Sequence, residues 1–437
     1  IHSRQLKKYQ HRLAPMPQKT QVTKVEIVGK YFKNLINKQV KIKKGERKYL
    51  LLKFSPGADI VAGRYQGELS IELGKTKKTY EVVLNIKEYE LPKLNIPVGF
   101  IGSMPVPQNY FDSKDMGEVV LKYQMKAIAE LARRGFTSFS GLPEVKVIGS
   151  DKNSLNLDFS LFDKFIDELK KYPQFKTIFT YEGRFPKDLL SESNKPDSMS
   201  SDEYHQKLSL ILKNKFNSIS PIQVVHSFSD EALGYSNKLK QDLKQAKILK
   251  KFYPFLKLSG FSHMGKEARE LNKFFDYGLY SFVDSTGVKL AKKNKNRWGS
   301  YNGAAGGLDD PRFAFGLGLF NAEKAGLSLY LDWHLAGVSN YPFFDLDGRE
   351  GDVVMLYPSI SGKLYPSFKF ELASVGLTQY RKLKYLNSLP KKSKKLKAWL
   401  KSLSKMNSII GNKQYYLKTP SMSGFTKQLD YFMSNQQ

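Results

Sequence analysis

Between Gln21 and about Glu90, apolar and polar residues alternate in short runs, at Val22–Val28, Lys48–Leu52, Tyr65–Ile71 and Tyr80–Ile86. A period of two puts one face of each run on a core and the other in water, so these runs predict β-strands. Gly57, Gly63 and the Gly74-Lys75 pair interrupt them at the intervals of turns in a β-sandwich. An N-terminal β-sandwich domain over residues 1–92 is therefore expected. Residues 1–20, basic and Pro-containing, are expected to drape over a neighbour, and Pro92 with Lys93-Leu94-Asn95 reads as a linker.

After Ile96 the rhythm changes to buried strands alternating with helical runs. The predicted strands are Ile96–Gly102, Phe136–Ser140, Thr177–Tyr181, Ile222–Phe228, Leu256–Phe261, Tyr280–Asp284, a segment at Arg297–Asn302, and Leu327–Trp333. Helices are predicted at Leu121–Arg134, Leu161–Lys171, Asp202–Lys215, Lys238–Phe252, Gly265–Phe275 and Arg312–Ala325. Eight strands alternating with helices predict an α/β fold, a (β/α)8 TIM-type barrel over residues 93–390. No Gly-rich dinucleotide fingerprint follows the first strand, which argues against a doubly wound sheet. Residues 334–370 read as loop, and Leu372–Leu386 as a further helix. The last part, 391–437, reads as a C-terminal helical extension. There Leu396, Trp399, Leu400 and Leu403 form an apolar stripe inside a ring of lysines.

Composition narrows the function. The chain has 437 residues, long enough for a barrel and a smaller module, and its 41% hydrophobic content can fill both cores. Cysteine is absent, which excludes disulfides, thiolate chemistry and Cys-ligated zinc. No apolar run approaches the ~20 residues of a membrane span. The chain opens on Ile1, as a processed protein would, and a secreted or envelope location is expected. The formal charge of +30 favours polyanionic partners. The basic residues accompany no helix-turn-helix, zinc finger or RNA-binding signature. An anionic or sulfated glycan is thus the expected partner rather than nucleic acid.

The candidate chemistry centres on Asp230-Glu231, at the end of the fourth predicted barrel strand. The C-terminal ends of the strands are where this fold carries its active sites. Successive side chains of a strand face opposite ways, so both carboxyls reach one pocket only where the backbone leaves the strand. The competing reading makes Ser229 a helix N-cap, with Asp230 and Glu231 in the first helical turn. The residues alone leave both open. Other strand-end candidates for binding a sugar are Tyr181, Glu182, Asp284, Trp298, Tyr301, Asn302, Asp332 and Trp333. Aromatic faces stack on sugar C–H surfaces, while carboxylates and amides bind hydroxyls. Glu182 with Glu231 would make a conventional two-carboxylate glycosidase if ~5–9 Å apart. His226, His263 and His334 also fall near strand ends but lack short metal-site spacing. Neither a metal nor another cofactor is expected.

Three stretches resemble the glycoside hydrolase family 123 group and the related domain-of-unknown-function 4091 proteins. They are Ala62–Leu69 with Val82–Pro92, the Asp230-Glu231 pair in its strand, and Leu331–Trp333 with Gly351–Pro358 and Pro366–Glu371. The resemblance covers roughly residues 60–390. It implies a β-sandwich followed by a barrel and hydrolysis assisted by the substrate's own 2-acetamido group. Glu231 would then be the general acid/base, and Asp230 would hold the acetamido nitrogen. Ala232 follows the pair where the family has Pro, and Lys369 stands where it often has Arg. The expectation is a retaining N-acetylgalactosaminidase-like enzyme. Its alternatives are the two-carboxylate glycosidase and a glycan-binding protein without catalysis.

Overall fold

The structure, a computed structural model, describes residues 60–73, 76–102, 116–150, 154–181, 186–190, 195–230, 236–262, 270–280, 297–301, 311–333, 335, 355–358, 364–405 and 422–435. The chain divides into two compact units at Leu91–Pro92. In the first, β1 (Gly63–Leu73) and β2 (Thr76–Ile86) form an antiparallel pair in unbroken register from Gly63–Ile86 to Leu73–Thr76. Ser70 and Thr79, directly opposite, share a 3.1 Å hydroxyl hydrogen bond. The predicted runs at Val22–Val28 and Lys48–Leu52 lie outside the described residues, so the described part of the expected sandwich is this one hairpin.

The second unit contains a ring of eight parallel strands. They are β3 (Val98–Ile101), β4 (Ser138–Phe139), β7 (Thr177–Phe179), β8 (Gln223–Asp230), β9 (Lys257–Ser262), β10 (Tyr277–Tyr280), β11 (Arg297–Tyr301) and β12 (Leu329–Trp333). Between β4 and β7, β5 (Lys146–Ser150) and β6 (Leu155–Asp158) form a separate antiparallel pair. Around the ring each strand pairs with its predecessor in chain order, and β12 returns to β3. A parallel bridge between Ser140 and Phe179 closes the remaining seam, joined by Gly141 N–H donating to Phe179 O at 2.9 Å. This closed parallel arrangement is the predicted barrel. Its interior is filled by Ile101, Phe179, Val225, Phe261, Leu279 and Leu331, all buried.

Helices α1 (Met116–Arg133), α2 (Ser160–Lys170), α3 (Ser201–Ser218) and α4 (Ser236–Phe252) follow the first four strands. Helix α1 stops where Gly135 adopts φ +83°. Phe136 N–H then reaches Leu131 O and Gly135 N–H reaches Ala132 O, closing the helix in a Schellman turn. Before α3, Ser200 and Glu203 form a reciprocal capping box. The helix predicted at Arg312–Ala325 is wound as a π-helix over Ala314–Gly318. Helices α5 (Phe368–Ser388), α6 (Lys394–Lys405) and α7 (Met422–Ser434) complete the unit. The apolar stripe of α6 is buried, and Trp399 lies 4.8 Å from Phe432 and 6.3 Å from Phe425 of α7.

The sixth strand is described at Tyr277–Tyr280 rather than Tyr280–Asp284, and residues 281–296 lie outside the described residues. Gly278 masks this strand in the sequence because glycine weakens strand patterning. Glycine is required there: an added Cβ would lie 2.5 Å from the Tyr280 hydroxyl oxygen. Of the helix predicted at Gly265–Phe275, only its end from Glu270 is described.

Outside the ring, Phe100, Phe136, Phe315 and Phe370 pack with centroids 5.0–5.6 Å apart. The Arg134 guanidinium sits 4.6 Å from the Phe370 ring centre and pairs with Glu130 and Glu371. Burial raises the Glu130 carboxyl pKa, but hydrogen bonds from Arg133 and Arg134 outweigh it and leave it below the usual value. This cluster locks α1 and α5 against the first barrel strand.

Two helical glycines discriminate between a tight and a yielding contact. A Cβ at Gly376 would lie 2.7 Å from the Arg312 Cα and carbonyl oxygen, backbone that cannot turn aside. At Gly117 the obstacle, also at 2.7 Å, is the end of the Leu161 side chain. Gly376→Ala is therefore expected to cost about 1–3 kcal/mol despite alanine's better helix propensity. Gly117→Ala is expected to be neutral within about 1 kcal/mol. Urea unfolding of the two variants against the parent checks both.

Candidate active site

Asp230 ends β8, the fourth strand of the ring. Its direction is set by a register shift. Val225 pairs with Lys257 and Ser227 with Ser259, after which Ser229 pairs with Gly260 and Asp230 with Phe261. Phe228 is the extra residue of a one-residue bulge. A ladder without it would set Ser229 opposite Phe261 and turn Asp230 away from the interior. With it, two consecutive residues, Phe228 and Ser229, face outward, and Asp230 joins Phe261 on the inner side. The bulge turns Asp230 inward; the departure from strand geometry that would bring Glu231 to the same side falls at residues 231–235, outside the described residues.

Each residue of the bulge is held. Phe228 packs 5.5 Å from Phe275 in an outer apolar cluster that includes Leu239 and Leu243 of α4. Gly260 makes room for this, since a Cβ there would lie 2.2 Å from the Phe275 ring. Ser227 N–H donates to the Thr180 hydroxyl at 3.0 Å, and Ser227 and Ser259 share a 2.8 Å hydroxyl contact. The Ser229 hydroxyl donates to Asp242 of α4 at 2.7 Å. Ser229 is therefore no helix cap; α4 begins later, at Ser236. Lys238 Nζ, from the first turn of α4, donates to the Asp230 backbone carbonyl.

At the mouth, the Tyr181 hydroxyl donates to Asp230 Oδ2 at 3.0 Å. The Tyr181 ring lies 4.6 Å from Phe261, which lies 5.1 Å from Tyr301. The Ser140 hydroxyl donates to the Tyr181 carbonyl at 2.8 Å, fixing the chain as it leaves the third strand. Asp230 and Tyr181 are both partly exposed, whereas Phe261 and Tyr301 are buried. The arrangement is a carboxylate with one oxygen oriented by a phenol, above an aromatic floor. A carboxylate held this way can accept a hydrogen bond from a ligand N–H or O–H while the tyrosine fixes its plane.

The predicted residues divide. Asp230, Tyr181 and Tyr301 share the inner side at the C-terminal end of the ring. Trp298 does not: it is 4% exposed and lies on the opposite side of β11 from Tyr301, so it packs as core and offers no platform. Asp332 is also corrected. It is fully buried and pairs with Phe100, on the same side of β12 as Tyr330, whose ring lies 5.0 Å from Phe315. Both lie near strand ends in the sequence, and alternation sends them behind the sheet. Glu231, Glu182, Asp284 and Asn302 lie outside the described residues, as does the side chain of Trp333. Of the histidines near strand ends, His226 is buried with Nδ1 2.9 Å from the Thr180 hydroxyl. His263 and His334 lie outside the described residues. Among the described residues no cluster of three acidic or histidine side chains could hold a metal. Thr180, Ser227, Lys238 and Asp242 carry no signal in the sequence, and Ser229 signals a cap rather than a support, because nothing in the Ser227-Phe228-Ser229 order announces a bulge.

No family model matches the chain, and no curated protein does. Solved structures with a similar course include a glycosyl hydrolase family 2 member from Bacteroides cellulosilyticus. It is 8% identical, over 72% of this chain and 38% of that one, with a TM-score of 0.38. An intracellular xylanase from Thermoanaerobacterium saccharolyticum is 15% identical, over 55% of this chain and 86% of that one, with a TM-score of 0.32. A GH10 xylanase with a bacterial Ig-like domain, from termite gut, is 11% identical, over 76% of this chain and 90% of that one, with a TM-score of 0.32. The chain thus spans about two fifths of the first of these structures. Likenesses this distant carry no argument about activity.

The bulge is testable without substrate. Thr180→Val keeps the shape but removes the acceptor of Ser227 N–H, and is expected to cost about 1–3 kcal/mol. Amide exchange at Ser227 should accelerate with it, and Thr180→Ser should restore both. Urea unfolding and residue-resolved hydrogen exchange are the measurements.

Proposed function

We propose that the chain is a glycoside hydrolase that cleaves at a 2-acetamido sugar with assistance from the substrate's own acetamido group. The observation that carries the reading is Asp230, turned into the mouth of a closed parallel barrel by a bulge and oriented there by the Tyr181 hydroxyl. The family resemblance around Asp230-Glu231 supports the choice of reaction. Asp230 accepts a hydrogen bond from the acetamido N–H, which raises the nucleophilicity of the carbonyl oxygen. That oxygen attacks the anomeric carbon as the glycosidic C–O bond breaks, and Glu231 gives its proton to the departing oxygen. Water then opens the cyclic intermediate, with Glu231 taking the water's proton, so configuration is retained. Substrate assistance removes the need for an enzyme nucleophile, an exception to the usual pair of catalytic carboxylates. Tyr181, partly exposed, offers the sugar an aromatic surface beside the carboxylate.

Aryl β-N-acetylhexosaminides and aryl β-hexosides, assayed side by side, test the proposal. Wild type is expected to turn over acetamido substrates alone and to be inhibited by a thiazoline mimic. Glu231→Gln should lose about 10²–10⁴-fold in kcat on unactivated substrates, the usual worth of general acid–base catalysis. Asp230→Asn should lose at least ~10²-fold by the electrostatic contribution of a positioned charge. Tyr181→Phe should lose less than either, since it orients Asp230. Equal turnover of sugars lacking the acetamido group would replace this mechanism with a two-carboxylate one. Glycan binding without turnover would make the chain a lectin.

A further inference from the structure

Helix α4 begins beside the site and carries an exposed surface without a negative charge. Its exposed residues are Asn237, Lys240, Gln241, Lys244, Lys247, Lys250 and Lys251. The helix's one acidic residue, Asp242, is 7% exposed and committed to Ser229. Lys250 and Lys251 pair with Asp276 at 3.5 Å and Asp202 at 2.8 Å. Lys240, Lys244 and Lys247 have no ion-pair partner among the described residues. They follow one another at i, i+4 and i+7, which places them on one side of the helix over about 10 Å of its length. The row starts two residues beyond Lys238, whose ammonium group touches the Asp230 carbonyl.

From this placement we infer that Lys240, Lys244 and Lys247 form a docking track for a linear anionic glycan, sulfated or carboxylated, along the barrel wall from the mouth. A linear polyanion presents charges at repeated intervals, and a single-sided row of unpaired ammonium groups complements it. The exposed positions are all Lys, Asn or Gln, so the surface has no apolar group to enter a bilayer and no aromatic ring to stack on bases. The inference deepens the proposed function by naming a substrate class. Binding itself needs no cleavage, so loss of one reading leaves the other standing.

Heparin is the probe, with full-length chain, over a salt titration. Lys240→Glu/Lys244→Glu/Lys247→Glu is compared with Lys394→Glu/Lys397→Glu/Lys401→Glu on α6, which makes the same change in net charge among exposed residues. The α4 variant is expected to bind heparin at least about tenfold more weakly and with a shallower salt dependence, and the α6 variant within about threefold of wild type. The milder Lys240→Gln/Lys244→Gln/Lys247→Gln should lose affinity in the same direction, with thermal melting unchanged. Equal losses in the α4 and α6 variants would assign binding to overall charge and overturn the track. Tighter, α4-dependent binding to duplex DNA or to phosphatidylserine vesicles than to heparin would overturn the glycan as its occupant. Unchanged acetamido-substrate turnover in the α4 variant, with heparin affinity lost, would support the track while leaving the catalytic reading intact.

Discussion

The site depends on one extra residue in one strand. Register in a barrel is a parity: residues of equal parity share the inside, and one insertion exchanges inside for outside from there on. Phe228 makes that exchange two residues before the strand ends, late enough that the core layers at Val225 and Ser227 keep their places. A bulge interrupts the ladder, so it persists only where other contacts satisfy the displaced backbone. Here Thr180 takes the Ser227 amide, Asp242 takes the Ser229 hydroxyl, and Lys238 takes the Asp230 carbonyl. The extra side chain goes to an apolar cluster under α4 instead of to water.

Those contacts come from neighbours whose own positions are fixed by the ring. Thr180 follows β7, and its amide donates to Val225 O at 3.1 Å, which holds it level with the bulge. Closure through Ser140 and Phe179 keeps β7 beside β4, and Ser140 also clasps the Tyr181 carbonyl. The phenol on Asp230 is thus supported from two strands at once. On the far side of the ring, the aromatic cluster and Arg134 pin α1 and α5 to the first strand. Small side chains are as necessary as large ones at that seam. A Cβ at Gly99 would fall 1.7 Å from the Ser138 carbonyl oxygen, so β3 and β4 sit side by side only with glycine there.

Much of this architecture was legible before the fold was known. Hydrophobic runs separated by helical periods gave eight strands in the right order, because burial on both faces leaves continuous apolar segments. That count placed Asp230 at the end of the fourth strand. Strand ends were a poorer guide to side chains: Trp298 lies at the start of its strand and Asp332 near the mouth, and both are on the helix-facing side. Counting parity from Tyr301 and Leu331 would have found this, since both strands lack a register shift. At β8 the same count would have misled, because parity there is changed by a bulge that local sequence does not encode. The contacts favouring it come from Thr180, Asp242 and Phe275, distant in the chain, and only the folded ring brings them together.

Helix α4 joins the two functional readings through its two sides. Asp242 lies two residues from Lys240 and from Lys244, which puts it on the other side of the helix from the lysine row. It is turned inward, where it bolts Ser229 and so helps fix the direction of Asp230. The helix's one carboxylate thus serves the barrel side, and Lys240, Lys244 and Lys247 occupy the exposed side. A helix placed beside a strand-end acid in this way supplies an oriented site and an attractive field next to it from the same seventeen residues.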